Sequence, residues 1–197
     1  MKRPLHLVFV CIGNRNRSPF AEFFFSKLIS QRDNQFVDAI RVTSAGFLPQ
    51  RMKDKMAALK IGAPDPFFGR PLAQATRTVL LHQGITVSDR WRTRELTPEM
   101  VEQAALIITA LPGQKNDIIR LYPNVVDRTF TMREISQWED YLLQEDYDFK
   151  EIPRDSTLWD FVEENYEYVT NILLEMEKML IKAYPNIMGK LGLPITG

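Results

Sequence analysis

The chain has 197 residues, of which 45% are hydrophobic and 11% aromatic, so it can bury the core of one domain. Lysine plus arginine equals aspartate plus glutamate at 25 each, which leaves no global charge to attract nucleic acid or an oppositely charged partner. The single cysteine excludes an internal disulfide framework and a cysteine-based zinc cluster, and it fits a reducing, cytoplasmic location. No stretch approaches the length of a membrane span, and we expect neither a metal nor a cofactor.

The first two predicted elements are a buried strand and an amphipathic helix. The apolar run Leu5 to Val10 is typical of a strand covered on both faces, and the polar residues after it argue against a signal peptide. Ser18 is predicted to cap the helix and Pro19 to occupy its first position, with an apolar stripe that ends at about Ser30. The chain therefore runs from a strand through a polar loop directly into a helix.

The remaining elements alternate in the same way. In chain order the sequence predicts a strand at Ile40 to Thr43, a helix at Pro71 to His82 and another from Thr97 onward, and a strand at Leu106 to Ala110. A short helix between Pro112 and Tyr122, a strand at Arg128 to Phe130 and a long final helix from Ser156 to about Tyr184 follow. This alternation predicts an α/β fold with a doubly wound, four-stranded parallel sheet, helices on both faces and a phosphate-binding loop after strand 1. We expect a single domain over residues 1–197, with an insertion near 131–150 and a loosely ordered tail near 185–197.

The loop from Cys11 to Ser18 carries the predicted chemistry. A loop at this edge of a parallel sheet can wrap around a phosphate dianion and aim several backbone N–H groups at it. Arg17 can bind two phosphate oxygens, and Cys11, six residues earlier, then lies beneath the phosphorus. The donors that hold phosphate also stabilise a thiolate, the nucleophilic form of cysteine, and Ser18 can donate a hydrogen bond to the sulfur. The loop therefore predicts a cysteine-dependent phosphatase with a phosphocysteine intermediate.

A structural interpretation of the same loop stands beside the catalytic one. Cys11 would then be a buried cysteine at a strand end, and Arg17 a surface cation at a helix start. Nucleoside triphosphate binding has little support, because the Gly-Lys-Ser/Thr ending of such phosphate loops is absent.

The loop resembles the signature of the low-molecular-weight protein tyrosine phosphatases, which reads Cys, apolar, Gly, Asn, two variable residues, Arg, Ser, Pro. The resemblance covers Leu5 to about Tyr122 and returns in the last helix. The similar segments are Cys11 to Pro19, Val42 to Gly46, His82 to Ile85, Arg94 to Thr97, and Leu106 to Ala110. It implies a phosphorylated protein or a small aryl phosphate as the substrate, with phosphotyrosine as the simplest case.

The resemblance also implies roles for single residues. Asn14, Ser18 and Ser44 would form a supporting hydrogen-bond network, with Asn14 holding the loop in a strained form. Asp89 departs from the family, which often has histidine near that point of the network. Asn16 stands where such phosphatases commonly carry a second, protective cysteine. The residues implied to bind substrate are Ile12, Gly13, Asn14, Arg15, Asn16, Ser18 and Phe47.

Two consequences follow from these departures. With Cys11 as the single cysteine, neither a protective disulfide nor the disulfide shuttle of the family's arsenate reductases can form. Arg15 is unusual at a loop position that helps to select substrate. It is either a solvated charge or an added attraction for anionic substrates.

The general acid is the least defined part of the predicted site. The family uses an aspartate followed by proline and an aromatic residue shortly before the last helix, and this chain has Ile152 to Asp155 there instead. We expect Asp155 to protonate the leaving oxygen; its structural alternative is an aspartate at a helix start beside the Ser156 cap. The other candidate acids are Asp148, Asp146 and Asp65.

The displaced acid supports a second functional hypothesis. A member of the family without its acid would bind phosphorylated partners or oxyanions without turnover. Hydrolysis of para-nitrophenyl phosphate distinguishes the two hypotheses.

Overall fold

The structure is a computed structural model that describes residues 3–48, 50–58, 68–137 and 166–195. Its centre is a four-stranded sheet in the order β2-β1-β3-β4, and each strand runs parallel to its neighbours. The strands are β1 (Leu5–Cys11), β2 (Ile40–Gly46), β3 (Ala104–Thr109) and β4 (Thr129–Thr131). The predicted four-stranded parallel sheet is therefore confirmed, with its last strand one residue later than expected.

Helices cover both faces of this sheet. They are α1 (Arg17–Arg32), α2 (Gln50–Ala58), α3 (Gln74–His82), α4 (Pro98–Gln103), α5 (Pro112–Leu121), α6 (Met132–Ser136) and α7 (Tyr166–Lys190). Leu7 and Phe9 of β1 pack against α1, α3 and α7, whereas Val8 and Val10 face α4 and α5. Because β1 is buried on both faces, its sequence is a continuous apolar run rather than an alternating one.

Two helices begin at residues other than those predicted. Helix α1 begins at Arg17, because the Ser18 hydroxyl bonds to Cys11 and to the Ala45 carbonyl and does not cap the helix. Helix α3 begins at Gln74, three residues after Pro71, since the Ala73 N–H donates to the Arg15 carbonyl. Tertiary hydrogen bonds to the phosphate loop thus replace the first turn expected there. Helix α2 was not predicted at all.

The expected loosely ordered tail near 185–197 is wrong for its first residues. Helix α7 continues through Pro185 to Lys190. A proline inside a helix costs about 3 kcal/mol. Ile187, Met188 and Leu191 beyond it are at most 7% exposed, and burying such side chains contributes about 1.5–3 kcal/mol each. The packing therefore outweighs the proline.

The start of the expected insertion is also ordered. Residues 132–136 form α6, whose Met132 and Ile135 are buried in the same core as α7. The rest of the expected insertion, and the predicted helix cap Ser156, lie in 138–165, outside the described residues. In the part of the chain that the structure describes, no helix is both long and apolar enough to cross a membrane.

Candidate active site

The predicted phosphate loop lies where β1 ends at the carboxyl edge of the sheet. Cys11, the last residue of β1, pairs with Gly46 at the end of β2, and Arg17 begins α1. Between them residues 12–16 form an irregular bend, and all of them are buried. The structure therefore brings Cys11 and Arg17 to opposite ends of one compact loop, the arrangement that the sequence predicted.

Asn14 fixes the shape of this loop. Its φ of 53° lies in the left-handed region, which asparagine tolerates better than most residues. Its side-chain amide donates to the Ser18 hydroxyl at 3.0 Å and to the Ser44 hydroxyl at 2.8 Å. Its carbonyl oxygen accepts from the backbone N–H of Arg94 at 3.0 Å. Three hydrogen bonds to three separate segments thus compensate for an unfavourable backbone conformation.

The bond from Asn14 limits where the Ser18 hydroxyl can donate its hydrogen. Its oxygen accepts from Asn14, so its single hydrogen is left to donate to Cys11 Sγ at 3.0 Å or to the Ala45 carbonyl at 3.2 Å. Cys11 is 3% exposed, which would suit a structural cysteine. The Ser18 hydroxyl nevertheless places a hydrogen-bond donor 3.0 Å from that sulfur.

The start of α1 is open to an anion. Asn16 precedes the helix but makes no side-chain capping bond, because its carbonyl oxygen accepts from the Thr76 hydroxyl of α3 at 2.8 Å. The first turn of α1 holds no acidic residue, and Arg17 within it is only 5% exposed. The positive end of the helix and a buried guanidinium group therefore act on the same loop.

A partly buried ion pair, which the sequence did not predict, supports the loop. Arg94 donates to both carboxylate oxygens of Glu22, at 3.1 and 3.0 Å, and its Nε donates to the Ser44 carbonyl at 2.8 Å. The Ser44 hydroxyl donates to the same carboxylate at 2.5 Å. Burial raises the pKa of Glu22, and the hydrogen bond from Ser44 and the charge of Arg94 oppose that rise.

A signal for Glu22 exists in the sequence. It follows Ser18 by four residues, so both lie on one face of α1, and it interrupts the apolar stripe of that helix. A carboxylate on a buried helix face needs a partner. Arg94 lies 72 residues away, and only the fold shows that it is that partner.

Asp89 is not part of this network. It is 97% exposed and pairs with Arg77 at 3.0 Å. Arg94 contacts the network instead, reaching Asn14 through its backbone N–H and the Ser44 carbonyl through its side chain.

Two aromatic residues lie beside the loop. The Phe47 N–H donates to the Cys11 carbonyl at 2.8 Å, and its own carbonyl accepts from Gln114 at 2.9 Å. The Phe68 ring lies against Gly46 so closely that a Cβ added there would stand 2.3 Å from Phe68 Cε1. Both rings are half-buried at the edge that holds Cys11.

Arg15 is 8% exposed, so its interpretation as a solvated surface charge is wrong.

All four candidate acids, namely Asp155, Asp148, Asp146 and Asp65, lie outside the described residues.

The comparisons with known proteins agree with this geometry. Low molecular weight protein-tyrosine phosphatase A of Mycobacterium tuberculosis is 52% identical over 46 residues, which are 23% of this chain and 27% of that protein. The chain therefore matches only about a quarter of that curated relative. A protein-arginine-phosphatase of Geobacillus stearothermophilus is 24% identical over 131 residues, 66% of this chain and 71% of that protein.

A solved structure and a family model extend the likeness along the chain. The low molecular weight protein tyrosine phosphatase from T. tengcongensis superposes with a TM-score of 0.61 at 22% identity, covering 91% of this chain and 97% of that one. At this identity the match shows a shared fold. The model of the family described as low molecular weight phosphotyrosine protein phosphatase matches residues 6–181, a range that includes the loop from Cys11 to Ser18. The chain belongs to that family.

Proposed function

We propose that this protein hydrolyses phosphate monoesters, with Cys11 as the nucleophile and Arg17 as the residue that binds the phosphoryl oxygens. The observation that carries the proposal is the directed chain of hydrogen bonds from Asn14 through Ser18 to Cys11 Sγ. A purely structural cysteine needs no such donor. We also propose a cytoplasmic location for the protein, because thiols stay reduced in that compartment.

In the first step the thiolate of Cys11 attacks phosphorus, and an S–P bond forms as the bond to the ester oxygen breaks. The guanidinium of Arg17 and the loop N–H groups stabilise the charge on the three remaining oxygens. These groups are fixed donors and, unlike water, need no reorganisation. The leaving oxygen takes a proton from a general acid, for which we propose Asp155.

In the second step water attacks the phosphocysteine and gives a proton to the carboxylate of Asp155, which replaces the proton lost in the first step. The S–P bond breaks, inorganic phosphate leaves, and the electron pair returns to sulfur as the thiolate. The hydroxyl of Ser18 is 3.0 Å from the sulfur and stabilises that departing charge. Each turnover therefore restores the starting thiolate without a cofactor.

We propose phosphotyrosine, or another aryl phosphate, as the substrate class. The half-buried rings of Phe47 and Phe68 at the edge that holds Cys11 support it, since aromatic side chains pack well against an aryl group. One relative is named for tyrosine and another for arginine phosphate. Peptides carrying phosphotyrosine or phosphoarginine, compared by kcat/KM, decide between these substrates.

The test of the function itself is turnover of para-nitrophenyl phosphate. We expect Cys11→Ser and Arg17→Ala to lose nearly all activity while circular dichroism stays unchanged, because they remove the nucleophile and the phosphate clamp. The exposed Arg92→Ala is the matched control and should retain full activity.

Two results would contradict the proposal. Retained turnover in Cys11→Ser would move the chemistry to another residue. A wild-type protein that binds phosphate without any turnover would favour the second hypothesis, a phosphate-binding module without catalysis.

A further inference from the structure

A cleft of about 460 Å³ lies at the opposite edge of the sheet from Cys11. It is lined by Arg3, Pro4, His6, Arg41 and Gln103, at the amino ends of β1 and β2 and the end of α4. His6 precedes Cys11 by five residues, which in a strand is roughly 17 Å. The volume of the cleft is within the range of roughly 300–1,000 Å³ that is typical of small-molecule sites. A ligand there would not occupy the phosphate loop.

The lining of this cleft is cationic. Arg3 and Arg41 are both exposed, and within the described residues neither side chain has a hydrogen bond or an ion pair. None of the five lining residues carries a carboxylate. Gln103 already donates its amide to Glu99 at 2.9 Å, so we assign it no ligand contact. Two guanidinium groups therefore remain available for an anion.

His6 supplies a second, independent observation. It is 6% exposed, and its Nε2 lies 2.7 Å from the Thr43 hydroxyl, whereas its buried Nδ1 has no hydrogen-bond partner among the described residues. Buried polar atoms are rarely left without a partner unless a ligand or water supplies one. When the Thr43 hydroxyl donates to Nε2, the neutral ring carries its proton on Nδ1 and can donate it.

We propose that this cleft is a second anion site, which binds a phosphate group between the guanidinium groups of Arg3 and Arg41, with the ring of His6 in its wall. Arginine binds phosphate oxygens in pairs, and such charge-assisted bonds are stronger than neutral ones. Burial, followed by the charges of Arg41 and Arg94, lowers the pKa of His6, in keeping with cationic surroundings. The site is separate from the proposed function and does not depend on it.

The histidine content makes the site directly observable. The chain has two histidines, His6 and His82, so a His82→Gln variant assigns their ring signals in nuclear magnetic resonance spectra. The full-length protein is titrated with inorganic phosphate, phenylphosphonate and acetate at constant ionic strength. We expect phosphate to shift the His6 signals saturably and to raise the pKa of that ring, while the His82 signals do not move. Binding of phenylphosphonate alone would identify the ligand as an esterified phosphate.

Variants separate this site from the phosphate loop. We expect Arg41→Gln and Arg3→Gln to weaken the His6 response at least tenfold while competitive inhibition by phosphate stays unchanged. Arg17→Ala, which removes the clamp of the phosphate loop, should leave the His6 response unchanged, and Arg90→Gln, another exposed arginine, should change neither the response nor the inhibition. The proposal is overturned if acetate matches phosphate, if Arg41→Gln responds like the wild type, or if Arg17→Ala removes the response.

Discussion

The hydroxyl of Ser18 has one hydrogen and a choice of two acceptors, the sulfur of Cys11 and the carbonyl of Ala45. A neutral thiol is a weak acceptor, so the hydrogen has little reason to prefer it. A thiolate is a charged acceptor and draws the hydrogen to itself. In the proposed mechanism, Ser18 therefore stabilises sulfur when the phosphocysteine breaks and bonds to the backbone when sulfur carries phosphate.

We predict that Ser18→Ala slows the second chemical step roughly 10- to 100-fold, the range expected when a hydrogen bond to a charged group is lost. Rapid mixing with para-nitrophenyl phosphate should then show a burst of nitrophenol followed by slow turnover. Ser26→Ala is the control, since that hydroxyl bonds only to a carbonyl on the outside of α1. Equal burst amplitudes in the two variants would contradict the assigned role.

The role of the general acid also depends on a single residue. We predict that Asp155→Asn lowers kcat by roughly 10²- to 10⁴-fold for aryl phosphates with poor leaving groups and little for those with good ones, because only the former need a proton from the enzyme. The measurement is the dependence of rate on leaving-group pKa, with Asp65→Asn, Asp146→Asn and Asp148→Asn in parallel. An unchanged slope for Asp155→Asn and a steeper one for another variant would transfer the role to that residue.

At the scale of elements, the site depends on how three segments meet. Helix α1 carries Glu22, the end of β2 carries Ser44, and the chain between α3 and α4 carries Arg94. Arg94 is 42% exposed and Glu22 only 13%. Glu22 is therefore the more desolvated member of the pair, and its pKa depends on the folded environment.

We predict that the stability of the wild type contains a component that falls as pH rises above about 4.5, because the pKa of Glu22 is raised in the folded state. The folded protein holds this proton after the unfolded chain has lost it. Glu22→Gln should remove that fall when free energies of unfolding in urea are compared from pH 4.5 upward.

Glu134 is the matched control with the opposite sign. Burial alone would raise its pKa, but bonds to Lys115 and Thr131 outweigh burial and hold the pKa below its usual value. Its contribution to stability is therefore lost as pH falls below about 4.5, and Glu134→Gln should remove a rise with pH in that lower range, to which the urea series is extended. The same slope change in both variants would refute the assignment.

At the scale of the whole molecule, the first and last helices are joined by a buried hydrogen bond. The Tyr184 hydroxyl donates to the Asp33 carboxylate at 2.7 Å across 151 residues, and both residues are 1% exposed. Burial and the neighbouring carboxylate raise the pKa of Tyr184, so it remains a neutral donor. The bond holds α7 against the end of α1, the helix whose other end forms the phosphate site.

We predict that Tyr184→Phe destabilises the protein by about 1–3 kcal/mol, because a buried carboxylate oxygen loses its donor. Urea unfolding measures the loss. Tyr166→Phe, at a residue that is 41% exposed on the same helix, should change stability little. Equal effects at the two positions would show that the buried bond contributes nothing of its own.

Features that depend on neighbouring residues could be predicted from the sequence. The apolar run of β1 and the stripe of α1 are local patterns, and the alternation of such strands and helices along the chain predicted the parallel sheet. The spacing from Cys11 to Arg17 is also local, and it predicted a loop at the carboxyl edge of that sheet. Local pattern was a poor guide only where tertiary contacts compete with it, as at the starts of α1 and α3.

The distant residues that complete the site could be identified from the folded structure alone. Arg94 is the partner of Glu22, Phe68 lies against Gly46, and α7 continues past Pro185, because each contact joins segments far apart in the chain. No local periodicity encodes such pairs. The cleft of Arg3, His6 and Arg41 has the same origin, since it exists only where the amino ends of two strands meet.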